Sequence, residues 1–204
     1  EAIKALGRKI ALQGVIEGNQ PQEKIKRMQA EIAQAPAAMK PVLESILGHW
    51  YWHYFQRNRF RFLQRSATSE PPGDDFMTWD LPRLFAEIDQ RLAQALAADG
   101  ALKTVPISAY DDLLVKGSSG DTLRPTLYDF LAHQAISFYS SGEQGAARPE
   151  DAFDLSAESP VFGSRGAFTA WEIQTTDRSS PIYKGLRLFQ DLLRFHQDDD
   201  DPSA

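Results

Sequence analysis

Two histidines of the segment "HWYWH", His49 and His53, are spaced so that they could share a metal ion. On a helix, positions i and i+4 lie on one face, and imidazoles with this spacing bind zinc in metalloprotease helices. The glutamate that acts as the base in those helices is missing, and a third ligand would have to come from elsewhere. A metal-binding protein or metalloenzyme is therefore an alternative, while we expect no metal and no cofactor.

Asp129 and His133 have the same spacing, and a carboxylate that orients an imidazole is half of a nucleophilic triad. The alternative function therefore also includes a standalone helical enzyme that uses Asp129 and His133. However, no serine lies in the G-x-S-x-G pattern of a nucleophile elbow, and no phosphate-binding loop is present. Pairing within a helix, or a helix cap, accounts for the two residues more simply. We therefore expect a protein that is not an enzyme.

The segment "HWYWHYFQRNRFRF", residues 49–62, combines seven Trp, Tyr and Phe side chains with three arginines. Rings that alternate with guanidinium groups can stack on bases and neutralise phosphates, so a nucleic-acid binder is a third candidate. The arginines concerned are the three of this segment, Arg57, Arg59 and Arg61, and Arg65 just beyond it. We expect Arg59 and Arg61 instead to stack on tryptophan or to pair with a carboxylate of a neighbouring helix, for which Asp74, Asp75 and Asp80 are available. No nucleic-acid partner is expected.

The overall composition excludes several classes of protein. The 204 residues are 42% hydrophobic, enough for one sizeable core, and their net charge of -6 argues against general polyanion binding. The absence of cysteine excludes thiol nucleophiles, disulfides and cysteine metal sites. Because there is no signal peptide, no long apolar run and no initiating methionine, we expect a piece of a larger protein without direct membrane insertion.

Apolar residues recur at helical spacing along most of the chain, and no alternating strand pattern is present. This periodicity predicts an all-α fold, an array of antiparallel helix pairs like a TPR-type superhelix or an irregular bundle. Side-chain oxygens and prolines mark the predicted helix starts. They are Asp80 with Pro82, Ser108 with Asp111, Thr126 with Asp129, Ser180 with Pro181, and Pro36 and Pro41 before the aromatic segment.

Polar loops divide the chain into three predicted regions. Residues 1–140 form a helical array that includes the aromatic-rich helix. Residues 141–165 form a long loop or a short helix. Residues 166–204 form the final helices, which we expect to continue beyond this chain.

The aromatic segment is predicted to belong to one helix over residues 43–63. At about 100° per residue, most of its large apolar side chains fall on one arc of about 140°, whereas Trp52 and Phe60 fall outside it. The arc consists of Leu43, Leu47, Trp50, Tyr51, Tyr54, Phe55 and Phe62. The remaining polar strip consists of His49, His53, Gln56 and Arg57. This distribution predicts a core helix with neighbours on several sides and one solvated strip.

Several stretches of the chain, taken in order and spacing, are similar to one known family. They are "ESILGHWYWHYFQRNRFRFLQRS" followed by "DDFMTWDLPRLF", then "LRPTLYDFLAHQAISFY", then "YKGLRLFQDLLRFHQDDDDPSA". Together they resemble the amino-terminal helical region of the large bacterial alpha-2-macroglobulin-like proteins, especially those of the Bacteroidetes type. The resemblance covers most of residues 40–204, and "RPTLYDFLAH" is its most specific part.

The resemblance implies a helical module exported to the cell envelope, in the periplasm or at the outer surface of a bacterium. In this family the module precedes β-sandwich domains that surround and trap proteases, so the implied role of the whole protein is endopeptidase inhibition. The family's bait segment and its frequent Cys-Gly-Glu-Gln thioester lie far downstream, so this cysteine-free chain alone is expected not to inhibit. Its expected partners are the rest of the parent polypeptide and other envelope proteins or proteases.

We therefore expect a non-catalytic helical scaffold or interaction module. The residues proposed for its core or interaction surface come from the aromatic segment and from the starts of two predicted helices. They are Trp50, Trp52, Tyr54, Phe55, Arg57, Arg59, Arg61, Trp79, Asp80, Arg124, Tyr128, Asp129 and His133.

Overall fold

The chain forms an all-α fold, as its periodicity predicts. The computed structural model describes residues 1–16, 18, 20–63, 73, 75–114, 123–143 and 152–199. Within these ranges the α-helices are α1 (Ala2–Ile16), α2 (Pro21–Gln34), α3 (Lys40–Arg57), α4 (Arg59–Leu63), α5 (Leu81–Leu96), α6 (Asp99–Leu102), α7 (Leu127–Tyr139), α8 (Arg165–Ala170) and α9 (Pro181–Phe195). Short 3-10 helices span Phe76–Thr78, Ile107–Tyr110 and Pro160–Phe162. The described residues form no β-strand beyond an isolated antiparallel bridge between Pro106 and Thr126.

The long helices form one array that follows the order of the chain. α1 packs on α2, α2 on α3, α3 on α5, α5 on α7 and α7 on α9, and the most extensive of these interfaces joins α3 and α5. Neighbours run antiparallel: Tyr51 near the end of α3 stacks on Trp79 just before α5. Likewise, Asp129 at the start of α7 contacts His196 just after α9. The predicted antiparallel array is confirmed.

Several predicted helix starts are confirmed by their caps. Asp80 caps α5 by accepting a hydrogen bond of 2.9 Å from a first-turn backbone N–H. The Ser180 hydroxyl caps α9 in the same way at 3.4 Å, and Thr126 and Asp129 form a complete capping box in α7. α3 begins with Pro41 in its first turn. The side-chain oxygens accept hydrogen bonds from backbone N–H groups that a first turn leaves unpaired, and proline has no such N–H group to satisfy.

The predicted capping box of Ser108 and Asp111 is wrong. A 3-10 helix forms here, and the backbone N–H of Asp111 donates to the Ser108 carbonyl oxygen at 3.2 Å. The chain is held beside the start of α7, because the Ile107 N–H donates to the Pro125 carbonyl oxygen at 2.9 Å. This backbone pairing with a distant segment overrides the local helix-start signal.

The aromatic segment is interrupted at Asn58, so the predicted single helix over residues 43–63 is wrong. The Asn58 side-chain amide and backbone N–H both donate to the Tyr54 carbonyl oxygen, at 2.9 and 3.1 Å. An asparagine that binds the backbone in this way competes with continued helical hydrogen bonding. The chain restarts as α4, which leaves Phe60 81% exposed and buries Phe62.

Contacting rings fill the core where α3 and α7 end and α5 begins, and we call this region the aromatic end. It consists of Tyr51, Trp52, Tyr54, Phe55, Phe62, Phe76, Trp79, Phe85 and Phe138. Phe55 is fully buried at its centre and meets Phe85 edge to face, with 5.0 Å between the ring centres. Edge-to-face and offset ring pairs of this kind add to the stabilisation that burial provides.

The core arc predicted for residues 43–63, which spans α3 and α4, agrees with the burial of its side chains. Its fully buried members are Leu43, Leu47, Tyr51, Phe55 and Phe62, while Trp50 and Tyr54 are half-buried. The helical wheel places Trp52 outside the arc, but the Trp52 side chain does pack against the core. The centre of its ring lies 5.2 Å from that of Phe138 in α7. α7 covers this additional side of α3, so the helix has neighbours on several sides as predicted.

The outer side of α9 is covered by α8, which begins where the predicted loop of residues 141–165 ends. Gln190 of α9 is fully buried, and its side-chain amide donates to the carbonyl oxygens of Phe168 and Trp171, at 2.7 and 2.9 Å. Arg194 of α9 likewise donates to the Thr169 carbonyl oxygen at 2.6 Å. The last carbonyls of a helix have no partner within it, so side chains of α9 satisfy the end of α8.

Candidate functional site

The candidate functional site is a cluster of carboxylates and imidazoles where α7 begins and α9 ends. Asp129, in the first turn of α7, is only 1% exposed. Its Oδ2 accepts hydrogen bonds from the Thr126 N–H at 2.8 Å and from the Thr126 hydroxyl at 2.7 Å. Its Oδ1 lies 2.7 Å from Nε2 of His196. Both oxygens of this buried carboxylate are therefore paired, as a low-dielectric site requires.

His196 follows the last turn of α9 and lies between two carboxylates. Its Nε2 faces Asp129, and its Nδ1 lies 2.6 Å from Oδ2 of Asp199. The backbone carbonyl of His196 also accepts a hydrogen bond of 2.9 Å from Arg165, which fixes the end of α9 from the side of α8. We call Asp129, His196 and Asp199 the polar junction.

The two carboxylates set the protonation state of His196. Burial lowers the pKa of this imidazole, but the hydrogen bonds and charges of Asp129 and Asp199 outweigh burial and leave the pKa above its ordinary value. A neutral imidazole has one N–H, whereas an imidazolium has two. The charged form is the one that can donate to both carboxylates.

Of the two structural explanations for Asp129 and His133, the helix cap is confirmed, because Asp129 completes the capping box of α7, whereas the intrahelical pair does not form. Asp129 is engaged by Thr126 and by His196 of another helix, and His133 is half-buried one turn further along α7. Burial and the positive charge of Arg124 lower the pKa of His133, although the charge of Asp129 acts in the opposite direction. Spacing within one helix gave no signal for a partner 67 residues away in the chain.

Aromatic and cationic side chains support the polar junction from α6 and α9. Tyr128 is buried and meets Phe195 edge to face, with 5.8 Å between the ring centres. The Lys103 ammonium lies 4.6 Å from the centre of the Tyr128 ring, within the range of a cation–π contact. Burial and the nearby charges of Asp191, Asp99 and Asp129 raise the pKa of Tyr128 to about 12. The phenol is therefore neutral at physiological pH.

The polar junction does not have the geometry of a nucleophilic triad. In a triad the imidazole stands between one carboxylate and a nucleophile whose proton it accepts. Here a carboxylate occupies each nitrogen of His196, and the nearby Thr126 hydroxyl donates to Asp129 rather than to the ring. The arrangement can hold a proton and join two helices, but it leaves no ring nitrogen to act as a base.

His49 and His53 lie on the exposed strip of α3, as the sequence predicts. Their rings are nearly parallel, with 6.2 Å between the centres. Although His49 is exposed in part, the burial of the rest of its side chain lowers its pKa, and the charge of His53 acts in the same direction. Among the described residues, no three His, Cys, Asp or Glu side chains are grouped so that they could hold a metal ion. The third ligand that a zinc site on this pair would need is therefore not found in the described part of the chain.

A shallow cleft opens beside this strip, between α3, α5 and α7. Its volume is about 90 Å³, and its lining includes His49, Trp52, Gln134, Ser137 and Phe138. Ligand pockets usually have volumes of about 300 Å³ or more. The cleft has room for a few water molecules rather than for a typical cofactor.

The expected arginine pairing occurs at Arg59, but with a partner that the sequence did not suggest. Arg59 binds Glu143, just after α7, at 2.9 Å. Asp75 and Asp80 instead accept backbone N–H groups at helix starts. The other predicted arginines are Arg57 and Arg61, which are exposed, and Arg65, which with Asp74 lies outside the described residues. Trp79 is covered by Arg83 of α5, whose guanidinium carbon lies 4.5 Å from the ring centre.

Two ion clusters that no local sequence pattern predicts in full tie the helices together. Arg91 of α5 bonds Glu87 at 2.6 Å on its own helix and Glu44 of α3 at 3.1 Å. In the second cluster, Asp89 accepts from the Tyr139 hydroxyl at 2.8 Å and from Lys184 of α9 at 2.7 Å. The i, i+4 spacing of Glu87 and Arg91 was a visible signal for part of the first cluster. The links between helices had no local signal.

The predicted site residues thus divide between two places. One group lies at or around the aromatic end: Trp50, Trp52, Tyr54, Phe55, Arg57, Arg59, Arg61, Trp79 and Asp80. The other lies at or beside the polar junction: Arg124, Tyr128, Asp129 and His133. In the described part of the chain, no helix is both long enough and apolar enough to cross a membrane. Comparison with protein-family models, curated proteins and solved structures finds no match to this chain.

Proposed function

We propose that this chain is a non-catalytic helical scaffold that belongs to a large envelope protein of the alpha-2-macroglobulin type. The main observation that supports the scaffold role is that the Asp129 and His196 side chains of the polar junction are engaged within the fold. Both oxygens of Asp129 and both ring nitrogens of His196 have partners, at 2.6 to 2.8 Å. They join α7 to α9 and, while His196 carries both ring protons, leave no ring nitrogen for substrate chemistry.

The charged links between the other helices support the same proposal. Asp89 connects α5 to both α7 and α9, and Arg91 connects α5 to α3. Such partly buried, directional contacts fix how neighbouring helices are positioned, because each partner is lost if a helix slides. A scaffold that must hold other domains at fixed positions needs this kind of connection.

The resemblance to the alpha-2-macroglobulin-like proteins supplies the identity of the proposed parent. Its most specific part, "RPTLYDFLAH", coincides with the capped start of α7 and contains Asp129 of the polar junction. On this proposal the whole protein inhibits endopeptidases in the envelope, and this module holds or recruits neighbouring domains and proteins. The role of this chain is positional, so it carries none of the inhibitory chemistry.

The first test is the size and compartment of the native polypeptide that contains this chain. An antibody raised against the purified chain is used to probe fractionated source cells. We expect a species far larger than 22.9 kDa in the envelope fraction. A cytoplasmic species of about that mass would overturn the proposed parent, while the scaffold role would then be tested by itself.

The second test separates the module from the inhibitory chemistry. The purified chain is mixed with a broad-specificity protease, and the rate of hydrolysis of a large protein substrate is measured. We expect no change in the rate, whereas the isolated parent protein lowers it. Inhibition by the chain alone would contradict a purely positional role.

A further inference from the structure

The geometry of the polar junction imposes a requirement on protons. Nε2 and Nδ1 of His196 lie 2.7 and 2.6 Å from carboxylate oxygens, which are distances of strong charge-assisted hydrogen bonds. An ionised carboxylate accepts and does not donate, so both hydrogens must come from the ring. If the ring loses a proton, one nitrogen lone pair faces a negative oxygen at close range. Both contacts therefore exist together only while His196 is an imidazolium.

We propose that Asp129, His196 and Asp199 form a pH-operated latch that fastens the chain after α9 to the start of α7. The latch is closed when His196 carries both ring protons, and it opens when one of them is lost. This inference goes beyond the proposed function and does not depend on it, because it rests only on contacts within the chain.

Burial determines which of the two contacts of His196 is lost when the latch opens. Asp129 is 1% exposed and cannot replace a lost donor with bulk water, whereas the side chain of Asp199 is 41% exposed and can. The remaining proton is therefore kept on Nε2, where it serves Asp129. Nδ1 becomes a bare acceptor facing Asp199, and the two groups separate. Opening releases the turn at residues 197–199 while the end of α9 stays bound to α7.

Other charged groups lie around the latch. From α7 come His133 and, just before it, Arg124; α6 and its end contribute Asp99 and Lys103. α9 contributes Asp191, paired with Arg194 at 3.0 Å, and the next turn contributes Asp198. α8 contributes Arg165, which binds the backbone carbonyl of His196. None of these groups bonds the ring nitrogens of His196, so none replaces either carboxylate.

The sign of the pH dependence follows from the raised pKa of His196. A free histidine has a pKa of about 6.5, so the junction contributes its full stabilisation below that pH. The contribution is lost as the pH rises through the higher pKa of the folded state. The latch is accordingly closed in mildly acidic solution and opens on the alkaline side.

The test is nuclear magnetic resonance of the chain with nitrogen-15 in its histidine rings, titrated from about pH 5 to about pH 10. The free-histidine pKa of about 6.5 is the reference. We expect the His196 ring to titrate above that reference, and to appear at high pH as the tautomer protonated on Nε2. Asp199→Asn should lower its pKa markedly, because an amide removes one negative partner. In the native chain, the backbone amides of residues 197–199 should be less protected from exchange above the His196 pKa than below it, once the measured rates are divided by the intrinsic base-catalysed rates at each pH.

Asp198→Asn is the matched control, since it removes the same charge from the same turn without touching the ring. It should lower the pKa of His196 much less than Asp199→Asn does. A His196 pKa at or below the free value would overturn the latch, as would equal effects of the two substitutions. A high-pH tautomer protonated on Nδ1 would contradict the proposed loss of the Asp199 contact. Asp199 is on the surface, so its substitution leaves the fold intact.

Discussion

The two ends of α7 are held in opposite ways. Phe138, near the end of the helix, belongs to the aromatic end, where rings from α3, α5 and α7 contact one another over a wide area. Asp129, in the first turn, belongs to the polar junction, where a few short hydrogen bonds replace that area. Burial of rings is non-directional and independent of pH, whereas the hydrogen bonds depend on geometry and on one proton. One helix therefore combines a fixed attachment with an adjustable one.

The largest loss of stability is expected from a substitution within the aromatic end. Phe55→Ala removes a fully buried ring from the centre of that cluster and leaves a cavity, so the free energy of unfolding should fall by about 4 kcal/mol. Chemical denaturation followed by tryptophan fluorescence measures this loss. Phe60→Ala is the matched control, because Phe60 is exposed and its removal should change stability by less than about 0.5 kcal/mol. Equal losses for the two variants would contradict the assignment of the core.

At the polar junction, Asp129→Ala should lower the free energy of unfolding by about 3 kcal/mol. It removes the buried partner of His196 and the cap of α7 in one step. Asp191→Ala is the control, since Asp191 forms an exposed pair with Arg194 worth no more than about 1 kcal/mol. The same denaturation experiment measures both, and an Asp129 variant as stable as the control would show that the junction does not hold the helices.

The aromatic end and the polar junction should also differ in how their contributions to stability depend on pH. The free energy of unfolding should fall as the pH rises above about 6.5, because the raised pKa of His196 means that the folded state then releases a proton later than the unfolded chain does. Phe55→Leu should keep this slope, whereas His196→Gln should lose it. Denaturation at a series of pH values between about 6 and about 9 measures the slope. A slope that survives in His196→Gln would assign it to another group.

A smaller effect is expected at the start of α5, beside the aromatic end. Asp80→Ala removes the side-chain cap and should destabilise the fold by about 1 kcal/mol. Asp80→Asn should restore most of that stability, because asparagine caps helix starts about as well as aspartate does. Thermal unfolding of the three proteins measures the order, and a charge effect would instead leave the asparagine variant as unstable as the alanine one.

The smallest effect is expected on the exposed strip of α3. His53→Ala should change the free energy of unfolding by less than about 0.5 kcal/mol, because His53 is exposed. After incubation with zinc and gel filtration, neither the native chain nor the variant should retain metal in elemental analysis. Stoichiometric zinc that disappears in the variant would revive the metal-binding alternative.

Local chemistry in the sequence was enough to predict several helix starts. Asp80, Thr126 and Ser180 cap helices because the groups they bind lie within the next three residues. Apolar spacing also predicted the all-α class and the core position of α3. The break at Asn58 was missed because apolar periodicity continues across it, and only the competing amide reveals it.

Contacts between distant helices account for what could not be predicted. Asp129 and His133 satisfy an intrahelical spacing rule, yet the carboxylate faces His196 because α9 packs on the start of α7. Trp52 fell outside the apolar arc because the wheel of one helix does not show that α7 covers a further side. In each case the deciding partner belongs to an element whose position no local pattern fixes.

The buried amide of Gln190 has a consequence for how the outer side of the fold opens. α8 has six residues, too few to persist as a helix in water without help, and α9 binds the carbonyls at its end through Gln190 and through Arg194, which donates to the Thr169 carbonyl oxygen at 2.6 Å. α8 therefore forms only when α9 is in place, and the two melt as one cooperative unit. Amide protons of both segments should then share a single opening free energy in native-state hydrogen exchange, distinct from that of the ring-packed α3 and α5.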